Sequence, residues 1–129
     1  MNYMTTVIKY TKPSNQFIED IIVTMLEGGS NYWISYVDAT PPKQKGVPTS
    51  IWVANIVNRG GIVYVYPTEC NNKKYALTKP KLLSGIQKFV ENHPKRVSKD
   101  GSKLDGGSFD ANDADCILQY SIFGKVVFG

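Results

Sequence analysis

The apolar positions of this chain change period between residues 19 and 37. From Asn15 onward Phe17, Ile18, Ile21, Ile22, Met25 and Leu26 recur at three- and four-residue spacing, which predicts one helical stripe. Ser14 or Asn15 stands where an N-cap belongs, and Glu19 and Asp20 lie early, where the helix dipole favours negative charge. After Gly28 and Gly29 the stretch "NYWISYV" alternates instead, with Tyr32, Ile34 and Tyr36 on one side and Trp33, Ser35 and Val37 on the other. The glycine pair therefore reads as a turn, with Gly28 as the left-handed cap that ends the helix.

The remaining punctuation predicts the other elements. "TTVIKY", residues 5 to 10, is a short first strand broken by Pro13 and Ser14. "DATPPKQKGVPTS", 38 to 50, is a loop, because its three prolines and one glycine suit no ladder. "IWVANIV" and "GIVYVYP" read as two strands joined by "NRGG", a connection of hairpin length, and "KKYAL" as a further strand. Thr78 caps a second helix with Pro80 in its first turn and Leu82, Leu83, Ile86, Phe89 and Val90 on its apolar side, ended by Pro94. Residues 95 to 108 are a polar, glycine-rich surface loop. A third helix begins between Asp110 and Asp113 and runs to Gly124; it is largely buried, with Asp115 and Gln119 four apart on one face. "KVVFG" is a terminal strand or an extended tail. The order β-α-β-β-β-β-α-α-β predicts an α+β fold: an antiparallel sheet of about four to five strands packed against about three helices, in a single compact domain over residues 1–129.

Composition narrows the class without naming an activity. With 129 residues, 42% hydrophobic and 20% charged, the chain has the make-up of an ordinary soluble globule. No apolar run nears the roughly 18 residues of a membrane helix, and "MNYMTTVIKY" has no positive region ahead of an apolar stretch, so neither a membrane span nor a secretory signal is expected. Cys70 and Cys116 are far apart and read as free thiols of a reducing cytoplasm. Two cysteines and the single His93 are too few soft ligands for a standard zinc site, so no metal and no cofactor is expected.

Candidate chemistry is sparse. Gly28 and Gly29 follow a helix, whereas phosphate-binding glycines precede one, and neither nucleotide fingerprint is present. Asp105, Asp110, Asp113 and Asp115 lack the glycine and closing glutamate of a calcium loop and suit a helix N-terminus instead. His93 ends a helix, and Cys116 sits beside Ile117 and Leu118, the setting of an inert core thiol. No catalytic residue is assigned. Two binding features stand out. Nine of the fifteen Lys and Arg lie between Lys73 and Lys103, and Lys81, Lys88 and Lys95 are seven apart, a basic helix face that suits nucleic acid or a nucleotide. Tyr32, Trp33, Tyr36, Trp52, Tyr64 and Tyr66 concentrate on the expected sheet, as core packing or as a partner surface.

Three blocks carry a resemblance. The run Glu27, Gly28, Gly29, Asn31, Tyr32, Trp33 (E-G-G-x-N-Y-W), the segment "YALTKPKLLSGIQKF", and a terminal D-A-x-x-A-D-x-I-x-Q-Y-x-x-F-G-x-x-V-x-G are similar to a family of small uncharacterised phage and prophage proteins. The last pattern falls here on Asp110, Ala111, Ala114, Asp115, Ile117, Gln119, Tyr120, Phe123, Gly124, Val127 and Gly129. The resemblance implies a viral or prophage origin and a place in the bacterial host cytoplasm, and it brings no activity with it. Its polar motif residues Glu27, Asn31, Asp115 and Gln119 are expected together, as a hydrogen-bonded cluster or a small polar pocket joining the glycine turn to the last helix. The functional expectation is a non-enzymatic interaction protein acting on a bacterial or phage protein; the alternative is a nucleic-acid or nucleotide binder.

Overall fold

The computed structural model describes residues 13–68, 73–94 and 109–129; the expected strand at 5–10, the whole loop at 95–108 with Lys95, and Cys70 lie outside them. The first helix, α1 (Asn15–Thr24), starts as its sequence predicts. The Oγ of Ser14 accepts from the Phe17 N–H at 3.1 Å, and Ile18, Ile21 and Ile22 are buried. The helix does not stop at the glycines. Met25–Gly29 continues the spiral as a π-helical turn, in which the Ser30 N–H donates to the Met25 carbonyl at 2.7 Å. The expected left-handed cap at Gly28 is thus corrected: among the described residues the glycines with positive φ are Gly46, Gly60 and Gly124.

Gly29 is needed for closeness instead of handedness. A Cβ there would lie 2.5 Å from the carbonyl oxygen of Ala111, while one on Gly28 would meet nothing within 4 Å. The π-turn therefore presses its backbone onto the first turn of the last helix. Gly85 does the same in the next helix contact, where a Cβ would lie 2.0 Å from Ser121 Oγ and 2.7 Å from the Ile117 carbonyl oxygen.

After the π-turn the elements are β1 (Ile34–Ala39), α2 (Thr49–Asn58), β2 (Val63–Pro67), β3 (Tyr75–Leu77), α3 (Lys79–Asn92) and α4 (Ala111–Phe123). The fold is α+β, with four helices and a three-stranded antiparallel sheet of order β1-β2-β3 among the described residues. The expected four to five strands and three helices shift by one element: "IWVANIV" is α2, not a strand. Its β-branched and aromatic residues suggest a sheet, but of its buried positions, Ser50, Val53, Ala54, Ile56 and Val57, all but Ile56 fall at the i, i+3, i+4, i+7 spacing of a helix face. "NRGG" is correspondingly not a hairpin. Gly60, at φ 88°, donates to the Val57 carbonyl and Gly61 donates to that of Ile56, the paired bonds of a helix C-terminal Schellman stop.

The sheet has two different faces. Val63, Val65 and Leu77 join Ile18, Ile22, Val57, Phe89 and Ile117 in one core. On the opposite face Tyr36 pairs across from Tyr66, and Tyr64 sits between Asp38 and Ala76. None of the three tyrosines belongs to the core cluster. Ser35 is the extra residue of a bulge between Ile34 and Tyr36. The later helices keep their predicted ends. Thr78 Oγ1 accepts from the Lys81 N–H, Asp110 and Asp113 form a reciprocal capping box, and Gly124 closes α4 at φ 77°. Residues after Gly124 form an extended tail, the second of the two readings of "KVVFG".

The two glycines of the opening motif make a direct test. Gly28→Ala is expected to leave stability unchanged or raise it by up to about 1 kcal/mol, since alanine is the better helix former. Gly29→Ala is expected to lose about 1–3 kcal/mol by overpacking against Ala111. Urea unfolding of both variants reads the difference; equal effects would contradict this account of the turn.

Candidate functional site

The extra residue in the π-turn sets which side chains reach α4. It delivers Ser30, Tyr32 and Trp33 to Asp115. The carboxylate of Asp115 accepts from Ser30 Oγ, Trp33 Nε1 and the Tyr32 hydroxyl, each at 2.7 Å, and from Gln119 Nε2 at 3.1 Å. All four partners are neutral donors, the arrangement suited to an acceptor-only carboxylate. Asp115, Ser30 and Trp33 are buried; Tyr32 keeps 56% of its surface exposed.

Gln119 extends the cluster to the end of the chain. Its Nε2 also donates to the Phe128 carbonyl at 3.1 Å, and its Oε1 accepts from the Val127 and Phe128 N–H groups, both at 2.7 Å. These contacts use both donor hydrogens and both lone pairs of a fully buried carboxamide. The tail so held lays Phe128 on Trp33, with ring centroids 4.9 Å apart and planes 14° apart, and Phe123 packs beside both, 5.6 Å from Trp33 and 5.8 Å from Phe128. The Tyr32 hydroxyl is pushed up to about 12 by burial, then by its hydrogen bond to Asp115 and the negative field there. Burial, then Asp115, Asp113 and Asp110, also raises the Cys116 thiol, which fits an inert thiol.

The expected polar group is therefore half assembled. Asp115 and Gln119 meet, but Glu27 and Asn31 do not join them. Because the spiral continues past Leu26, Glu27 turns toward α2 and accepts from Ser50 Oγ. Asn31 lines a separate cleft of about 430 Å³ between the π-turn, β1 and the start of α2. Leu26, Ile34 and Trp52 supply apolar wall there, with Asn31, Thr49 and Lys43 as polar groups. Trp52 is fixed by its Nε1 donating to the Pro41 carbonyl at 2.8 Å, and Lys43 by its Nζ donating to that of Val47 at 2.8 Å.

The aromatic expectation divides as well. Tyr32 and Trp33 precede the strand and serve Asp115, so they are not on the sheet face. Tyr64 and Tyr66 are on that face, joined by Tyr36. The rings of Tyr36 and Tyr66 stack 4.3 Å apart with planes at 8°, and Lys74 Nζ lies 4.2 Å from the Tyr64 centroid. Tyr36 is 56% exposed and lines the cleft; partial desolvation, then the Tyr66 hydroxyl, raises its hydroxyl pKa. Of the basic stripe, Lys81 Nζ donates to the Ala76 carbonyl and Lys88 Nζ to that of Gly124 at the end of α4. Lys95 is outside the described residues. His93 stacks on Phe89 and its Nδ1 lies 3.0 Å from the Phe89 carbonyl oxygen.

Sequence reading missed Ser30, Ser50, Lys43 and Thr49. Ser30 stands in the sequence only as a small residue beside a turn; Ser50 and Thr49 fall in the expected loop at 38 to 50 but open α2, and Lys43 comes from the part of that loop whose path nothing local dictates. Among the described residues no group of three His, Cys, Asp or Glu is placed to hold a metal, and no helix is long and apolar enough to cross a membrane. Comparison with protein-family models, with curated proteins and with solved structures finds no match to this chain.

Replacing Asp115 by alanine strands the buried donors of Ser30 and Trp33, at about 1–3 kcal/mol each, so Asp115→Ala is expected to lower the unfolding free energy by roughly 3 kcal/mol or more; a loss below about 1 kcal/mol would refute the tie. Tyr32 adds a pH dependence. Its folded-state pKa, about 12, exceeds the usual value near 10. Its contribution is therefore complete below about pH 10 and disappears as pH rises through about 12. Unfolding of wild type and Tyr32→Phe across that range should show a stability gap that closes with rising pH; a constant gap would contradict the assignment.

Proposed function

We propose that this chain is a non-enzymatic interaction protein of phage or prophage origin, working in the bacterial host cytoplasm, that holds a protein of the host or the phage on the open tyrosine face of its sheet. The observation that carries this reading is the asymmetry of the sheet: helices pack on one side, and Tyr36, Tyr64 and Tyr66 stand on the other with Lys74 beside them. Tyrosine suits such a role, since it offers large contact area with few rotamers and a polar tip. The origin and the cellular place rest on the resemblance alone.

An enzymatic reading has less support. The buried carboxylate at the motif junction, Asp115, has its oxygens committed to four donors, and it does not line the cleft between the π-turn, β1 and α2. The basic helix face also has less support as a phosphate track, because Lys81 Nζ is drawn to the Ala76 carbonyl on β3 and Lys88 Nζ to that of Gly124 after α4, so the two ammonium groups reach toward different elements instead of lying in one row.

The test compares wild type with the double variant Tyr64→Ser/Tyr66→Ser as bait in bacterial lysate. Stoichiometric capture of one protein by wild type, lost in the folded variant, is the expected result. Recovery of no partner at any salt, or equal recovery by both baits, would overturn the reading.

A further inference from the structure

We propose that the cleft beside Tyr36 is a binding site for a nucleoside monophosphate, the base stacked on the free face of Tyr36 and the phosphate held by Lys43. The proposal stands on the cleft and shares only Tyr36 with the sheet-face reading.

The stack comes first. Tyr66 and Tyr36 stand ring against ring, 4.3 Å apart and within 8° of parallel. β1 is an edge strand of the sheet, so this column of rings ends at Tyr36 among the described residues. One face of Tyr36 is covered by Tyr66; the other looks away from β2, on the side where the cleft opens. A planar ring entering the cleft extends the column by one step. Base-on-aromatic stacking accepts any base and gains with ring area, which favours the larger purines.

The polar groups fit the rest of the molecule. The carboxamide of Asn31 and the hydroxyl of Thr49 both line the cleft, and neither is engaged in a hydrogen bond among the described residues. A carboxamide pairs its donor and acceptor with the edge of a base, and a hydroxyl adapts to either. Lys43 is the one charged residue lining the cleft, and it supplies the positive partner that an anion needs there. Its ammonium is positioned by the Val47 carbonyl at 2.8 Å, with a longer contact to that of Gln44 at 3.5 Å, and a third N–H remains for a phosphate oxygen. The volume, about 430 Å³, is within the range of small-molecule sites.

An extended peptide added to the edge of β1 fits less well. The bulge at Ser35 interrupts the regular row of backbone donors and acceptors that strand addition needs. An aromatic side chain of a partner would use the stack, but would leave Asn31, Thr49 and Lys43 without a role.

The test is isothermal titration of the full chain with AMP, GMP, CMP and UMP, alongside adenosine, guanosine and inorganic phosphate. One monophosphate, a purine by expectation, should bind at one site per chain, more tightly than its nucleoside and far more tightly than phosphate. Lys43→Glu should weaken it at least tenfold, Asn31→Ala several-fold, and Tyr36→Ala several-fold, with thermal unfolding confirming that each variant is folded. The single variant Tyr64→Ser, which leaves the Tyr36–Tyr66 stack intact, should bind the monophosphate as wild type does, which separates this site from the sheet-face reading. No binding of any monophosphate at millimolar concentration would overturn the proposal. So would phosphate binding equally well, or affinity unchanged by both Lys43→Glu and Asn31→Ala.

Discussion

The structure depends on a buried carboxylate that needs several donors at once. Asp115 sits on the inner side of the last helix, out of water, where an unsatisfied acceptor would cost several kcal/mol. Gln119, one turn on, supplies one donor, and the other three come from residues more than eighty positions earlier, in the turn after the first helix. The requirement fixes how the two ends of the described chain meet. The π-turn must carry one residue more than an α-helix to present Ser30, Tyr32 and Trp33 together. Gly29 must lack a side chain so that its backbone can approach Ala111. Gln119 must be a carboxamide to turn from Asp115 and hold Val127 and Phe128. The aromatic layer of Trp33, Phe123 and Phe128 covers the result and keeps water out.

This arrangement also separates stability from recognition. Both terminal motif blocks are spent largely on the tie between π-turn and α4, so Asp115 and Gln119 are structural, while Asn31 lines the cleft. The exposed groups are elsewhere: the tyrosines of the outer sheet face, and a cleft whose walls come from the π-turn, the edge strand and the loop leading to α2. That loop is held by side chains bonding to its carbonyls, Trp52 to Pro41 and Lys43 to Val47, so the cleft has a defined shape in the unbound chain. Preorganisation of this kind lowers the ordering cost of binding.

Much of the fold was legible because helix ends announce themselves. Ser14, Thr78 and the Asp110–Asp113 pair are caps whose chemistry is local, and Gly124 ends α4 as a left-handed glycine should. The failures have physical causes. α2 is rich in valine, isoleucine and tryptophan, and the burial that makes them helical comes from packing against α1, which no local pattern displays. The glycine pair carries the same letters whether the chain needs positive φ or close approach; only the position of Ala111 distinguishes them. Of the polar motif residues, Asp115 and Gln119 were legible as a pair because four-residue spacing on a helix is a contact. Glu27 and Asn31 were not, because their directions depend on the one extra residue of the π-turn.

The most direct measurement is native-state hydrogen exchange at the Trp33 indole N–H, which donates to Asp115. If the carboxylate tie holds the fold together, this proton exchanges only through global unfolding, with a protection free energy equal to that of the slowest core amides and the same denaturant dependence. Exchange through a local opening, much faster than the core and insensitive to denaturant, would contradict it.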